Sequence, residues 1–230
     1  MSPAYTSEGK ALARRFVVAA AVHMKARSAL DLFGHGASAL ALHKALPRAA
    51  VIAVERDPEL LPMLRATAQV NGFGFFEGEL RDVPGRFDFI NLDMCSQYSP
   101  AALAEVKAAA RKLTKHGELM VTLMAAREPT VIADDRWFLI PKSLERAAGL
   151  FCRALIPYAG DSGVPMWLMH FRGRGQTWWN DEPFALSRNP GDRLQADESR
   201  FSLVMDDITT EGGWSIGAPW VDDYIVEAIK

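Results

Sequence analysis

The run Leu30-Asp31-Leu32-Phe33-Gly34-His35-Gly36-Ala37-Ser38 constrains the chain more than any other stretch. A short apolar strand enters a glycine turn, and the residues after it continue as a helix that stops before Pro47. Val51-Ile52-Ala53-Val54-Glu55 follows as a second apolar strand ending in a carboxylate, with Glu55 placed 21 residues after Gly34. Strand, glycine turn, helix and strand at this spacing make a βαβ unit suited to an adenosine-containing ligand. The glycines let the backbone turn tightly and let a ligand come close, which a Cβ would block. A carboxylate at the end of the second strand can accept hydrogen bonds from ribose hydroxyls.

The rest of the chain extends this alternation. Thr6-Ser7-Glu8 and the helical spacing of Leu12, Phe16, Val17, Ala20 and Met24 predict a helix over 8–26. Strands are predicted over 29–33, 50–55, 73–77, 87–92 and 118–124, and helices over 37–46, 58–70 and 99–115. Pro58 is placed in a first helical turn, and Asn71-Gly72 and Gly117 are read as helix stops. A long loop over 125–140 and a helix over 142–154 come next. Strands over 155–158 and 166–172 close the pattern, joined by the Gly-rich turn Ala159-Gly160-Asp161-Ser162-Gly163. The fold class is therefore α/β: a doubly wound, mostly parallel seven-stranded sheet with a terminal antiparallel hairpin. Ligands of such sheets bind at the carboxyl ends of the strands.

The 230 residues carry a net charge of only −2, which gives no strong non-specific pull toward nucleic acid or anionic membrane. That balance is uneven. Residues 173–230 hold five Lys/Arg against eleven Asp/Glu, whereas 1–172 hold 21 against 17. Four of the six Trp (Trp178, Trp179, Trp214 and Trp220) also lie in the acidic part. The chain thus reads as a domain over 1–172 and an acidic, aromatic C-terminal extension over 173–230. Two roles stay open for that extension: a solvated tail, or a segment that packs on the domain or covers its active face. Two cysteines, Cys95 and Cys152, make no disulfide framework. The apolar run from Phe16 to Val22 falls far short of a membrane span, and no secretory leader is read. A cytoplasmic setting without membrane partners is expected; oligomeric state is not legible.

With Asp31-Leu-Phe-Gly34-His-Gly36, Glu55, Glu79, the Asp93 segment and the closing hairpin, residues 8–172 resemble the class I S-adenosylmethionine-dependent methyltransferases. In that family's first motif an acidic residue precedes three alternate glycines; here Ser38 stands in the third place. The resemblance implies S-adenosyl-L-methionine as cofactor. It implies that Asp31 and Gly34 frame the methionine moiety, that Gly36 lies near the adenosine and that Glu55 holds the ribose. Glu79 would meet the adenine amino group, the Leu80 backbone N–H a ring nitrogen, and Arg56 would lie over the adenine. Each residue also has a plainer reading: Asp31 as a cap for the following helix, Gly34 and Gly36 as an ordinary tight turn, Glu79 as a solvated loop acid.

The segment Phe87-Asp88-Phe89-Ile90-Asn91-Leu92-Asp93-Met94-Cys95-Ser96 occupies the place that faces the methyl group in this family. It lacks the prolines of the amino-methyltransferases that carry Asp-Pro-Pro-Tyr. Cys95 lacks the preceding proline of the cytosine-C5 enzymes and reads as a buried, inert thiol. The outline Asn91-Leu92-Asp93 followed by Ser99-Pro100 is similar to the tRNA guanine amino-methyltransferases. Asn91 and Asp93 point the same way from a strand, and both could grip an amine as catalytic residues. Alternatively, Asn91 satisfies groups at the strand end and Asp93 caps the next turn. No histidine pair has metal-ligand spacing, so no metal is expected.

A methyltransferase is thus expected, with nucleic acid slightly preferred as substrate and a small-molecule or protein acceptor left open. Arg127, Arg136, Arg172 and Arg174 are the candidate phosphate contacts. A non-catalytic S-adenosylmethionine-binding protein is the competing class. A nicotinamide oxidoreductase is disfavoured, since Ala39 takes the place of the last glycine of its turn.

Overall fold

In the computed structural model, the described residues are 8–32, 36–125, 136–160 and 164–173. The C-terminal extension, from 174 onward, and the turn residues Phe33, Gly34 and His35 lie outside them. Seven strands form one sheet in the order β3-β2-β1-β4-β5-β7-β6. Their spans are β1 Ser28–Leu32, β2 Ala50–Glu55, β3 Gly74–Glu77, β4 Phe87–Gln97, β5 Leu113–Met124, β6 Phe151–Ala159 and β7 Pro165–Arg172. The helices are α1 Glu8–His23, α2 Ala37–Ala45, α3 Leu61–Asn71, α4 Pro100–Arg111 and α5 Arg136–Ala148. A 3-10 turn, Leu80–Asp82, precedes β4.

The first five strands are parallel, and β7 pairs antiparallel with both β5 and β6. The expected doubly wound sheet with an antiparallel ending is therefore present, with β7 inserted between β5 and β6. From β1 the chain winds one way to β2 and β3, then returns to the other side for β4 and β5. Right-handed crossovers in opposite directions put α2 and α3 on one face and α4 on the other. Accordingly, α1 packs on α2, and α5 packs on α4. The main core lies on the α4–α5 face, where Leu30, Leu32, Ile90, Leu92, Val121 and Leu123 meet Val106, Ile140 and Leu144.

Several boundaries differ from expectation, each for a local reason. Pro58 is not in a helical turn; residues 57–60 make a separate turn, with Leu60 N–H donating to Asp57 O, and α3 begins at Leu61 with Pro62 near its start. Gly72 does stop α3, at φ 80° with its N–H on Ala68 O. Ser99 caps α4 by accepting from the Ala102 N–H, but the helix ends at Arg111 rather than near Lys115. Gly117 is no helix stop. It sits in an irregular start of β5, where the register jumps from Phe87↔Leu113 to Phe89↔Glu118. A Cβ there would come within 3.0 Å of the Phe87 carbonyl oxygen. The helix expected over 142–154 is α5, shifted toward the N-terminus with Pro141 inside it, and β6 takes residues 151–154.

Gly36 explains itself without a ligand. It is the N-cap of α2 at φ 75°, and a Cβ on it would lie 2.4 Å from Cδ1 of the buried Leu64. Gly36→Ala is expected to cost about 1–3 kcal/mol, from the left-handed backbone and the overpacking of α2 against α3. A urea unfolding midpoint unchanged from the wild type would contradict this.

Candidate functional site

The direction of winding reverses between β1 and β4, the position at which open α/β sheets bind ligands beyond their strand ends. At this switch point Asp31 of β1 is in register with Asn91 of β4. Side chains alternate along strands, so Leu30, Leu32, Ile90 and Leu92 face the α4–α5 core, while Asp31, Asn91 and Asp93 turn toward α1 and α2. The Asn91 Nδ2 donates to Asp31 Oδ1 at 2.7 Å, with both residues buried. The backbone of Ala39, in the first turn of α2, favours the charged form of the Asp31 carboxyl. Burial pushes this carboxyl up from 3.8 to about 7; the neighbouring Asp93 pushes the same way, while Asn91, Ala39 and Arg14 oppose it. Among the described residues the Asn91 Oδ1 is buried with no hydrogen-bond partner. A carboxyl held near neutrality beside an acceptor without a partner is an arrangement that a cationic donor would complete.

Asn91 gives an Nδ2 hydrogen to Asp31, while its Oδ1, the atom that could accept from a substrate amine, meets no partner among the described residues. Asp93 lies two residues further along β4, in register with Thr122 of β5.

Glu55 ends β2 and is buried. Its Oε1 accepts from the backbone N–H groups of Arg56 and Asp57 at 2.7 and 2.9 Å, which fixes the carboxylate at the strand end. Glu79 lies between Arg81, at 2.7 Å, and Arg56, at 3.6 Å. These pairs are half exposed and weak, so Glu79 can exchange one for another partner at little cost. The Leu80 side chain is fully buried in the core, leaving only its backbone to face a ligand. Arg56 also approaches Glu105 of α4 at 4.0 Å, which draws these loops together around the ends of β2 and β4.

Of the arginines expected to contact phosphates, Arg172 is excluded. It is buried in an ion pair with Glu118 at 2.6 Å, and Glu118 also meets His170 at 2.7 Å. Arg127 and Arg174 lie outside the described residues, and the side chains of Arg136 and Cys95 are not described. The Cys152 thiol, on β6, is pushed up to about 12 by burial and is inert at neutral pH. Among the described residues no group of three or more His, Cys, Asp or Glu could hold a metal, and no helix is long and apolar enough to cross a membrane. Arg14 of α1 was not singled out by the sequence. Its charge acts on Asp31 from α1, which packs on α2, and no local motif announces that packing.

No family model matches the chain, and no curated protein matches it either. Solved structures do. An O-methyltransferase from Bacillus cereus, in complex with S-adenosylhomocysteine, is similar with a TM-score of 0.54 at 15% identity, over 74% of this chain and 84% of that one. The 1,6-didemethyltoxoflavin-N1-methyltransferase of Burkholderia thailandensis, with 1,6-didemethyltoxoflavin and S-adenosylhomocysteine bound, gives 0.53 at 19% identity, over 70% and 78%. The S-adenosylmethionine-dependent methyltransferase SibL gives 0.51 at 17% identity, over 71% and 55%. The chain spans little more than half the length of some matched proteins, 56% of a Nostoc punctiforme chain and 55% of SibL. The switch point, the seven-stranded order and these likenesses agree: the chain has the fold of the class I S-adenosylmethionine-dependent methyltransferases.

Proposed function

We propose that the protein binds S-adenosyl-L-methionine at the carboxyl ends of β1, β2 and β4 and transfers its methyl group to a small-molecule acceptor. The observation that carries the reading is the buried Asp31–Asn91 pair at the switch point, with its orphaned Asn91 Oδ1. Asp31 and this oxygen would receive the ammonium of the methionine moiety. Glu55 would hold the ribose hydroxyls, and Glu79 with the Leu80 N–H would hold the adenine beside Arg56. When bound, the cofactor supplies an electrophilic methyl group on its sulfonium. The chain's own work is then to orient the acceptor and take up its proton, and Asp93, further along the same strand face, is the residue placed for it.

The small-molecule acceptor is supported by the toxoflavin precursor bound in the Burkholderia neighbour. The earlier preference for nucleic acid gains nothing from Arg172, which is buried and paired. Incubation with methyl-labelled cofactor and parallel pools of small amines, phenols and bulk tRNA tests the choice. Label appearing in a small-molecule pool is the expected result; label confined to tRNA would contradict it. Glu55→Ala is expected to weaken S-adenosylhomocysteine binding by about 10- to 100-fold, the loss of a charged hydrogen-bond partner. Calorimetry showing unchanged affinity would remove Glu55 from the ribose site.

A further inference from the structure

The five parallel strands all begin at one end of the sheet, remote from the switch-point site, and the segments that feed β1, β2, β4 and β5 are basic. Lys25 and Arg27 precede β1, Arg48 precedes β2, Arg86 precedes β4, and Arg111 and Lys115 flank the start of β5; all six are exposed. Hydrogen bonds join these segments into one rim. The Ala50 N–H donates to Arg27 O at 2.9 Å, the Phe87 N–H to Lys112 O at 2.7 Å, and Arg86 Nη1 to Leu113 O at 3.2 Å. The Asp88 carboxylate of this rim is already held, one oxygen by the Arg27 backbone N–H and the other by the Thr114 hydroxyl. Among the described residues no ion pair engages any of the six cations. The carboxyl ends of the strands differ. There Arg56, Arg65 and Arg81 are each paired with Glu79 or Glu77, and Asp57 and Glu59 add exposed negative charge.

Because β7 runs antiparallel, its last residues lie at the basic end, where Arg172 is in register with Glu118 and Gly173 follows. The sequence beyond is acidic: residues 201–230 hold six Asp/Glu against Lys230 alone, with Trp214 and Trp220 among them. We propose that the acidic stretch 206–227 docks on the basic rim of the same molecule, at the amino ends of β1, β2, β4 and β5. Covalent attachment places that stretch near the rim at roughly millimolar effective concentration, so charge pairs each worth a factor of about two to three suffice to hold it. At the carboxyl ends the same stretch would meet like charge. Of the two roles open for the extension, it therefore packs on the domain, and it leaves the active face uncovered. The inference is independent of the cofactor reading.

The test is zero-length carbodiimide cross-linking of the full chain, which joins a lysine amine to a carboxylate where the two touch, read by peptide mass spectrometry. Links within one molecule from Lys25 and Lys115 to carboxylates in 206–227 are expected at low salt. They should fade at about 0.5 M NaCl, where charges are screened beyond about 4 Å. Arg27→Glu, Arg48→Glu and Arg111→Glu together spare both lysines and should cut the yield about tenfold. Asp206→Lys, Asp207→Lys and Glu211→Lys, which leave the domain untouched, should do the same, and the two sets combined should restore most of the links. Links from 206–227 to Lys10 or Lys142, near the starts of α1 and α5, would overturn the proposal, as would a yield indifferent to both charge reversals or no links at all. Links found only between molecules, in a mixture of labelled and unlabelled chain, would assign the rim to a second copy and overturn it too.

Discussion

Affinity for S-adenosylhomocysteine is expected to fall about 100-fold between pH 8 and pH 5, and replacing Asp31 with asparagine should flatten that profile. The ammonium of the ligand calls for an ionised Asp31, but burial holds this carboxyl at about 7 in the empty protein. Below that value binding must expel a proton, and affinity drops about tenfold for each further pH step. The same group acts oppositely on the empty fold. Its folded value lies above the unfolded 3.8. Its contribution to stability is therefore full below pH 4 and is lost as pH rises through 7, a swing of about 4 kcal/mol. Asp31→Asn should accordingly stabilise the ligand-free protein at pH 8 by about 2–4 kcal/mol, since the new amide carries no charge and can donate to the orphaned Asn91 Oδ1. Thermal unfolding of the two proteins at pH 5 and pH 8 checks this. A variant destabilised equally at both values would contradict it. Binding lost while stability is gained is what a functional strain at this position entails.

The βαβ unit was legible because its signal is local. Gly36, Pro47 and the apolar run into Glu55 each act within a few residues of where they stand, and β2 occupies the residues expected, Ala50–Glu55. The sheet class followed from alternation alone. Misreadings arose where tertiary context outweighs local preference. Gly117 looks like a helix stop, yet it is a glycine because the Phe87 carbonyl crowds it across the sheet. The loop expected over 125–140 gives way at Arg136 to α5, which runs through Pro141 with Ile140 and Leu144 buried in the core. At the site, Asp31, Asn91 and Asp93 were each visible. Their joint arrangement depends on the register of β1 against β4, two strands far apart in sequence and adjacent only after β2 and β3 have wound away. Arg14 was missed for the same reason.

The second large effect lies far from the site. Glu118, at the irregular entry of β5, holds Arg172 and His170 of β7 from a buried position. This cluster pins the antiparallel β7 to the parallel part of the sheet, in the register Glu118↔Arg172. Glu118→Ala should destabilise the protein by about 3–5 kcal/mol, because the guanidinium stays buried without its carboxylate. Glu118→Gln keeps the size and some of the hydrogen bonding and should cost less. Denaturant unfolding separates these outcomes, and a loss below about 1 kcal/mol for Glu118→Ala would show that the cluster does not hold the sheet together.

Calorimetric titration of the full chain at pH 8 with S-adenosylhomocysteine and, separately, with NAD tests directly whether the switch point between β1 and β4 holds an S-adenosyl ligand. Saturable one-to-one binding of S-adenosylhomocysteine, clearly weakened in Asp31→Asn and without detectable NAD binding, is the expected result. Binding of NAD alone, or S-adenosylhomocysteine binding that ignores Asp31→Asn, would contradict the account.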